Sequence, residues 1–408
     1  MVRLRKSAAF IRCGVLVSAS LITVAWAPNI GAQTNPSIEQ STAVSSQWSR
    51  DAVGQLIQLI DAARGEGLNP ADYRTADLRR AAEGGEGAAL DATANAAAYA
   101  LAHDYYFGRV ANRDGYLIPR APYEEALLKE RMTKAIADRT LKSFYTSLLP
   151  TDERYGALRE ALADTSDAAM RDKLRANMER WRWMPRGLGD SYIYVNVPSY
   201  QLRVIDSGTS VATYDVVVGA KATPTPWLVS PSSSLVVNPS WYVPASIIKS
   251  SNLYRGKAGY IFEGKSVRQA PGPRNALGKI KFNLVNDQAI YLHDTPAKAG
   301  FTRTDRALSH GCIRVKDIDQ LAFQLMDGKD AGQLDEAMAD TRTATLKLPK
   351  TWQVYIVYFT ADSVEGGSVV SYNDPYGHDA RIVAQLDGRP LDSGKPLGGG
   401  SGRQIARR

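Results

Sequence analysis

The apolar pattern changes its period once along these 408 residues, and that change limits the fold more than any other feature. From 47 to 183 apolar side chains recur at helical spacing. Val53, Leu56, Ile57 and Ile60 share one face, Asn69-Pro70 has the form of a helix start, and an alanine-rich helix runs from Asp91 to about Phe107. Leu127, Met132, Leu141, Tyr145, Leu158, Leu174 and Trp181 continue the pattern, divided by Pro150 and by the polar turn at 164–167. From Ser191 the period becomes two, which predicts short strands at 192–197, 201–205, 211–218, 235–238, 279–284 and 289–293. The chain therefore reads as α+β, an all-helical domain over 47–185 followed by a mostly β domain over 190–345. Weak periodicity over 244–274 predicts a lid or cap, since so long an irregular insertion in a compact domain is usually functional. Ile318, Leu321, Ala322 and Leu325 mark a helix behind Asp317, residues 346–387 read as a β extension, and the Gly/Pro/Arg-rich stretch 388–408 reads as a disordered basic tail.

The first 32 residues have the form of an export leader. Arg3, Arg5, Lys6 and Arg12 precede an apolar run over 13–27 and a small-residue exit at Ile30-Gly31-Ala32, so cleavage after Ala32 is predicted, with a linker over 33–46. An uncleaved inner-membrane anchor is the alternative, although the run is shorter than the ~20 residues a span needs. Cleavage would remove Cys13 and leave Cys312 with no cysteine to pair with. The net charge of +8 is carried by the ends, a net of four in the leader and four over 389–408. A body near neutrality argues against a nucleic-acid footprint.

Chemistry concentrates between Tyr291 and Val315, which holds two of the four histidines beside Cys312. A thiol becomes a nucleophile when an imidazole or aligned backbone N–H groups favour its thiolate, and His293 and the turn at Gly311 supply both kinds of group. Spacing alone leaves two other readings open, a small buried cysteine and a zinc site short of a ligand. His103 has no second His, Cys or clustered carboxylate at i+3 or i+4 and reads as structural, and His378, in a turn, reads as a surface or structural residue.

The pattern of His293, then Ser309-His310-Gly311-Cys312 with Arg314 two residues on, resembles the signature of the YkuD-type L,D-transpeptidases. Arg180-Trp181-Arg182-Trp183-Met184-Pro185, Val237-Asn238-Pro239-Ser240-Trp241 and Pro271-Gly272-Pro273-Arg274-Asn275 resemble further blocks of the long branch of that family, which carries a helical scaffold domain. The resemblance implies a YkuD-like sandwich and a periplasmic enzyme that needs no cofactor or metal. Its partners would be peptidoglycan stem peptides and other cell-wall synthesis proteins. Cys312 would attack the third stem residue to give 3-3 cross-links. His293 would be the base, oriented by the Asp294 carbonyl, with Gly311 and His310 shaping the oxyanion site. Arg314 would hold a substrate carboxylate, or else pair with Asp294 or Asp317, while Ser309, Asp294, Tyr242 and Trp241 are candidates for substrate contact. The same thioester chemistry would serve a carboxypeptidase or a protein-tethering enzyme, and a catalytically silent wall-binding scaffold is the alternative of another class. Many long relatives also carry a small peptidoglycan-binding domain between the two, and 124–180 looks too short to hold one.

Overall fold

The computed structural model describes residues 47–113, 115–118, 124–250, 259–327, 330–364 and 367–389. The leader, the linker and all but the first two residues of the basic tail lie outside them. Among the described residues no helix is long and apolar enough to cross a membrane.

The helical part comprises α1 (Arg50–Ala62), α2 (Thr75–Glu83), α3 (Ala88–Phe107), α4 (Glu124–Ala137), α5 (Leu141–Leu148), α6 (Glu153–Asp164) and α7 (Ala168–Trp183). Ser49, Asp152 and Asp167 accept from backbone N–H groups of the first turns of α1, α6 and α7, which supplies partners the helices cannot provide themselves. α3 begins three residues before Asp91, because that carboxylate is used elsewhere: it accepts from the N–H groups of Gln47 and Trp48 and ties down the segment leading into α1.

Strands β1 (Tyr192–Asn196), β2 (Gln201–Asp206), β3 (Thr209–Gly219), β4 (Leu228–Val237), β8 (Ile280–Phe282), β9 (Leu292–His293), β10 (Ala307–Ser309), β11 (Ile313–Val315) and β12 (Ala344–Val357) form one sheet in the order β10-β3-β11-β9-β8-β4-β12-β1-β2. β2 also pairs with β3, so the hydrogen bonding closes into a ring of eight strands with β10 beside it. Closure removes most of the exposed edge that an open sheet would present. The predicted lid has structure of its own, namely helix α8 (Ala245–Ser250) and strands β6 (Tyr260–Glu263) and β7 (Ser266–Gln269), which join β5 (Trp241–Tyr242), just before the lid, in the order β5-β7-β6. α9 (Ile318–Met326) and α10 (Ala331–Ala339) both pack against β12.

Two boundaries differ from the sequence reading. β12 runs through the expected border at 345 and pairs with β4 on one side and β1 on the other, so what reads as a C-terminal extension begins as a central strand. The register slips between Lys347 and Trp352, which hides the continuous alternation. Beyond β13 (Ala361–Ser363) and β14 (Val369–Ser371) the chain forms a helix, α11 (Asp379–Leu386), where no helix is predicted. α7 also does more than close the helical part. Trp181 stacks on Phe359 with ring centroids 4.9 Å apart, and buried side chains of helices and sheet form a single core.

That core contains charge. Arg182 and Glu179 are fully buried and paired at 2.9 Å, and Glu179 also accepts from the Val110 N–H at 2.8 Å and the Trp183 indole at 3.0 Å. Removing one member of such a pair strands the other charge away from water. Glu179→Ala is predicted to destabilise the protein by about 3–5 kcal/mol in urea denaturation, and a loss below about 1 kcal/mol would show that the pair is solvated.

Candidate active site

β9 lies between β8 and β11, antiparallel to the first and parallel to the second. The registers Lys281↔His293 and Arg314↔His293 set these three side chains in one row across three strands. Because side chains alternate along a strand, Tyr291 and Cys312 stand on the same face, one step back along the same two strands. The Ile313 N–H donates to the Tyr291 carbonyl at 3.1 Å, which locks that placement. Tyr291, His293, Cys312 and Arg314 thus line a groove of about 650 Å³ together with Trp241, Pro244, Ile247 and Tyr260, and Lys281 stands in the same strand row beside it.

His293 is 5% exposed, and its Nδ1 lies 2.5 Å from the Asp294 carbonyl oxygen. A carbonyl only accepts, so Nδ1 carries the proton and Nε2 is left as an acceptor. Burial, with Arg314 and Lys281 adding to it, pulls this imidazole down to about 4 against the opposing pull of Asp294. Burial likewise pushes the Cys312 thiol up from its ordinary value, although Tyr291 and the nearby cations oppose this. Both groups are therefore neutral near pH 7.

The half-buried sulfur is held closely. The backbone N–H and the hydroxyl of Tyr291 both hydrogen-bond it, the Trp241 side chain supports the Tyr291 hydroxyl, and the thiol lies 3.4 Å from the Ala289 carbonyl. The sulfur and His293 do not hydrogen-bond each other in this resting arrangement. Passing the thiol proton to the imidazole therefore requires the thiol to leave the Ala289 carbonyl, and catalytic hydrogen bonds commonly tighten only once substrate is bound.

The remaining predicted residues divide. Arg314 is half-buried and forms no ion pair among the described residues, so neither Asp294 nor Asp317 takes it. The Asp294 carboxylate accepts from the Lys279 N–H at 2.9 Å and meets Lys298 Nζ at 2.5 Å, so this side chain braces the strand end and stands outside the groove lining. Gly278 permits that packing: its φ is +62°, and a Cβ there would come within 2.3 Å of the Asp294 side chain. Ser309 is buried, donates to the Cys312 carbonyl at 2.6 Å and accepts from the Gly311 N–H at 3.1 Å. It holds the turn, and it occupies the Gly311 donor that the sequence reading assigns to an oxyanion. His310 is exposed at the groove edge, Trp241 lines the groove, and Tyr242 is 65% exposed and outside it.

Sequence reasoning missed Tyr291 and Lys281. A tyrosine and a lysine in short strands look like core and surface residues, and only the register shows that both face the thiol. Lys281 Nζ sits 4.8 Å from the centre of the Tyr291 ring. Among the described residues no three His, Cys, Asp or Glu side chains cluster to hold a metal ion.

Residues 190–335 match the L,D-transpeptidase catalytic domain, YkuD, and residues 43–162 match the Scaffold domain. The chain thus carries a region similar to the YkuD L,D-transpeptidase catalytic domain behind an N-terminal region similar to the Scaffold domain. A Haemophilus influenzae protein provisionally named an L,D-transpeptidase is 32% identical over 290 residues, which cover 62% of this chain and 58% of that one. The chain thus spans under two thirds of that relative's length. Among solved structures, the catalytic domain of the E. faecium L,D-transpeptidase acylated by ertapenem is 16% identical, with a TM-score of 0.25, covering 35% of this chain and 93% of that one. An L,D-transpeptidase from Mycobacterium smegmatis is 10% identical, with a TM-score of 0.26, covering 41% and 58%.

The two neutral groups give a direct test. A raised thiol is alkylated by iodoacetamide at a rate that still climbs through about pH 9, and the His293 ring takes up its proton near pH 4 in an NMR titration. A thiolate–imidazolium pair would instead show alkylation already level from about pH 6.

Proposed function

We propose that this protein is a periplasmic L,D-transpeptidase that uses Cys312 to form a thioester with the third residue of a peptidoglycan tetrapeptide stem. The observation that supports this most is the gathering of the Cys312 thiol, of His293 with Nε2 unprotonated and of Arg314 in one groove, with Lys281 in the same strand row and neither cation ion-paired with a carboxylate among the described residues.

In the first half-reaction the Cys312 sulfur attacks the carbonyl carbon while its proton passes to His293 Nε2. The S–C bond forms, the amide C–N bond to the terminal D-alanine breaks, and the imidazolium gives its proton to the departing amine. In the second half, His293 takes a proton from an acceptor amine as that amine attacks the thioester. The S–C bond breaks and the proton returns to sulfur. Charge that develops on the carbonyl oxygen is met by the Cys312 N–H at the turn. Tyr291 holds the sulfur in place throughout. Arg314, with Lys281 beside it, meets a substrate carboxylate, for which a fork of N–H donors is well suited.

Water or a protein amine could replace the acceptor with no change in these steps, so the products decide among them. Incubated with disaccharide tetrapeptides, the protein is predicted to give dimers joined between two third residues, with D-alanine released, and Cys312→Ala to give none. Tripeptides alone would assign a carboxypeptidase, and turnover by Cys312→Ala would overturn the mechanism. Arg314→Gln is predicted to raise the KM for the donor peptide about tenfold or more, as loss of a charge-assisted hydrogen bond does, with a smaller effect on kcat. An unchanged KM would remove Arg314 from substrate binding.

A further inference from the structure

We infer that Tyr376, outside the matched catalytic domain, is a positioning residue that fixes the direction of the Cys312 N–H through Thr225 and the Gly311 carbonyl. This rests on the function proposed above, because it matters for catalysis only if an acyl oxyanion forms at Cys312.

The Tyr376 hydroxyl is buried and makes two hydrogen bonds across the domain. It donates to the Gly219 carbonyl at 2.7 Å and accepts from the Thr225 N–H at 3.1 Å. The Thr225 hydroxyl, also buried, accepts from the Gly219 N–H at 2.8 Å and donates to the Gly311 carbonyl at 2.7 Å. Gly311 C=O and Cys312 N–H belong to a single planar trans peptide, in which the two groups point in opposite directions. Anchoring the oxygen on Thr225 therefore sets the direction of the N–H. The preceding turn is gripped in the same manner, since the Ser309 carbonyl accepts from the Ala220 N–H at 2.8 Å and the Thr223 hydroxyl at 3.0 Å. One loop, 219–225, thus grips two carbonyls of the catalytic turn, and Tyr376 grips that loop.

Tyr376 is itself held firmly. Its ring stacks on Tyr358 with centroids 5.3 Å apart, and its N–H donates to the Tyr358 hydroxyl at 2.8 Å. That hydroxyl donates to Asp374, whose carboxylate also accepts from the N–H groups of Gly377, His378 and Asp379. Asp379 in turn meets the buried Arg180 of α7 at 2.6 Å. The orientation of an oxyanion donor is thereby coupled to the helix that enters the sheet domain.

Tyr376→Phe keeps the ring stack and removes the hydroxyl. It is predicted to slow acylation of Cys312 by a tetrapeptide donor about tenfold or more at unchanged KM, because a donor turned away from the oxyanion costs rate and not ground-state binding. Alkylation by iodoacetamide, which forms no oxyanion, keeps the wild-type rate. Thr225→Val is predicted to match Tyr376→Phe, and the double variant to be no slower than either, since both break one path. Amide exchange at Cys312 in Tyr376→Phe is predicted to quicken about tenfold. Wild-type acylation by Tyr376→Phe, or a parallel loss of acylation and alkylation, would overturn the inference. If the wild-type protein forms no thioester, the proposed function fails first, and unchanged Cys312 exchange in the variant would then overturn the clamp by itself.

Discussion

The parallel pairing of β9 with β11 is the constraint on which the groove depends. Parallel neighbours cannot be joined by a tight turn, so a crossover of a dozen or more residues must separate them. That is the physical meaning of the gap between His293 and Cys312: it is the length the chain needs to leave β9, pass through β10 and return in register. Once the register is set, Arg314 falls beside His293 and Cys312 beside Tyr291. A one-residue slip would turn the cations and the thiol to the opposite face.

Burial then sets the chemistry of what the register gathers. Desolvation outweighs the neighbouring charges at both His293 and Cys312, so the resting site holds a thiol and an imidazole and no preformed ion pair. A neutral thiol is a poor nucleophile but is protected from adventitious oxidation. Activation is left to the moment when substrate brings charge into the groove. Lys281 and Arg314, which form no ion pair among the described residues, also fit this picture, because a substrate carboxylate would offset both.

The large divisions of the fold were legible in the sequence because the period change at Ser191 is abrupt. Cys312, His293 and Arg314 were legible through their motif. Tyr291, Lys281 and Tyr376 were not, for a common reason: their roles come from partners on other strands or from segments far away in sequence. Tyr376 and Thr225 are separated by 151 positions. What Asp294 and Ser309 bond to was not legible from their motif positions: the Asp294 carboxylate braces the strand end, and Ser309 lines the groove while its hydroxyl bonds within the turn. α11 was missed because its short amphipathic run begins directly after the turn at Asp374-Pro375, and that turn dominated the local pattern.

The claim that carries the account is that acyl transfer passes through sulfur at position 312. Intact-mass spectrometry of acid-quenched protein, mixed with a donor tetrapeptide in the absence of any acceptor, tests it most directly. The account predicts one added acyl tripeptide per chain, mapped by proteolysis to the peptide containing Cys312 and released by hydroxylamine. An adduct on another side chain, or steady release of D-alanine with no adduct on Cys312, would contradict it.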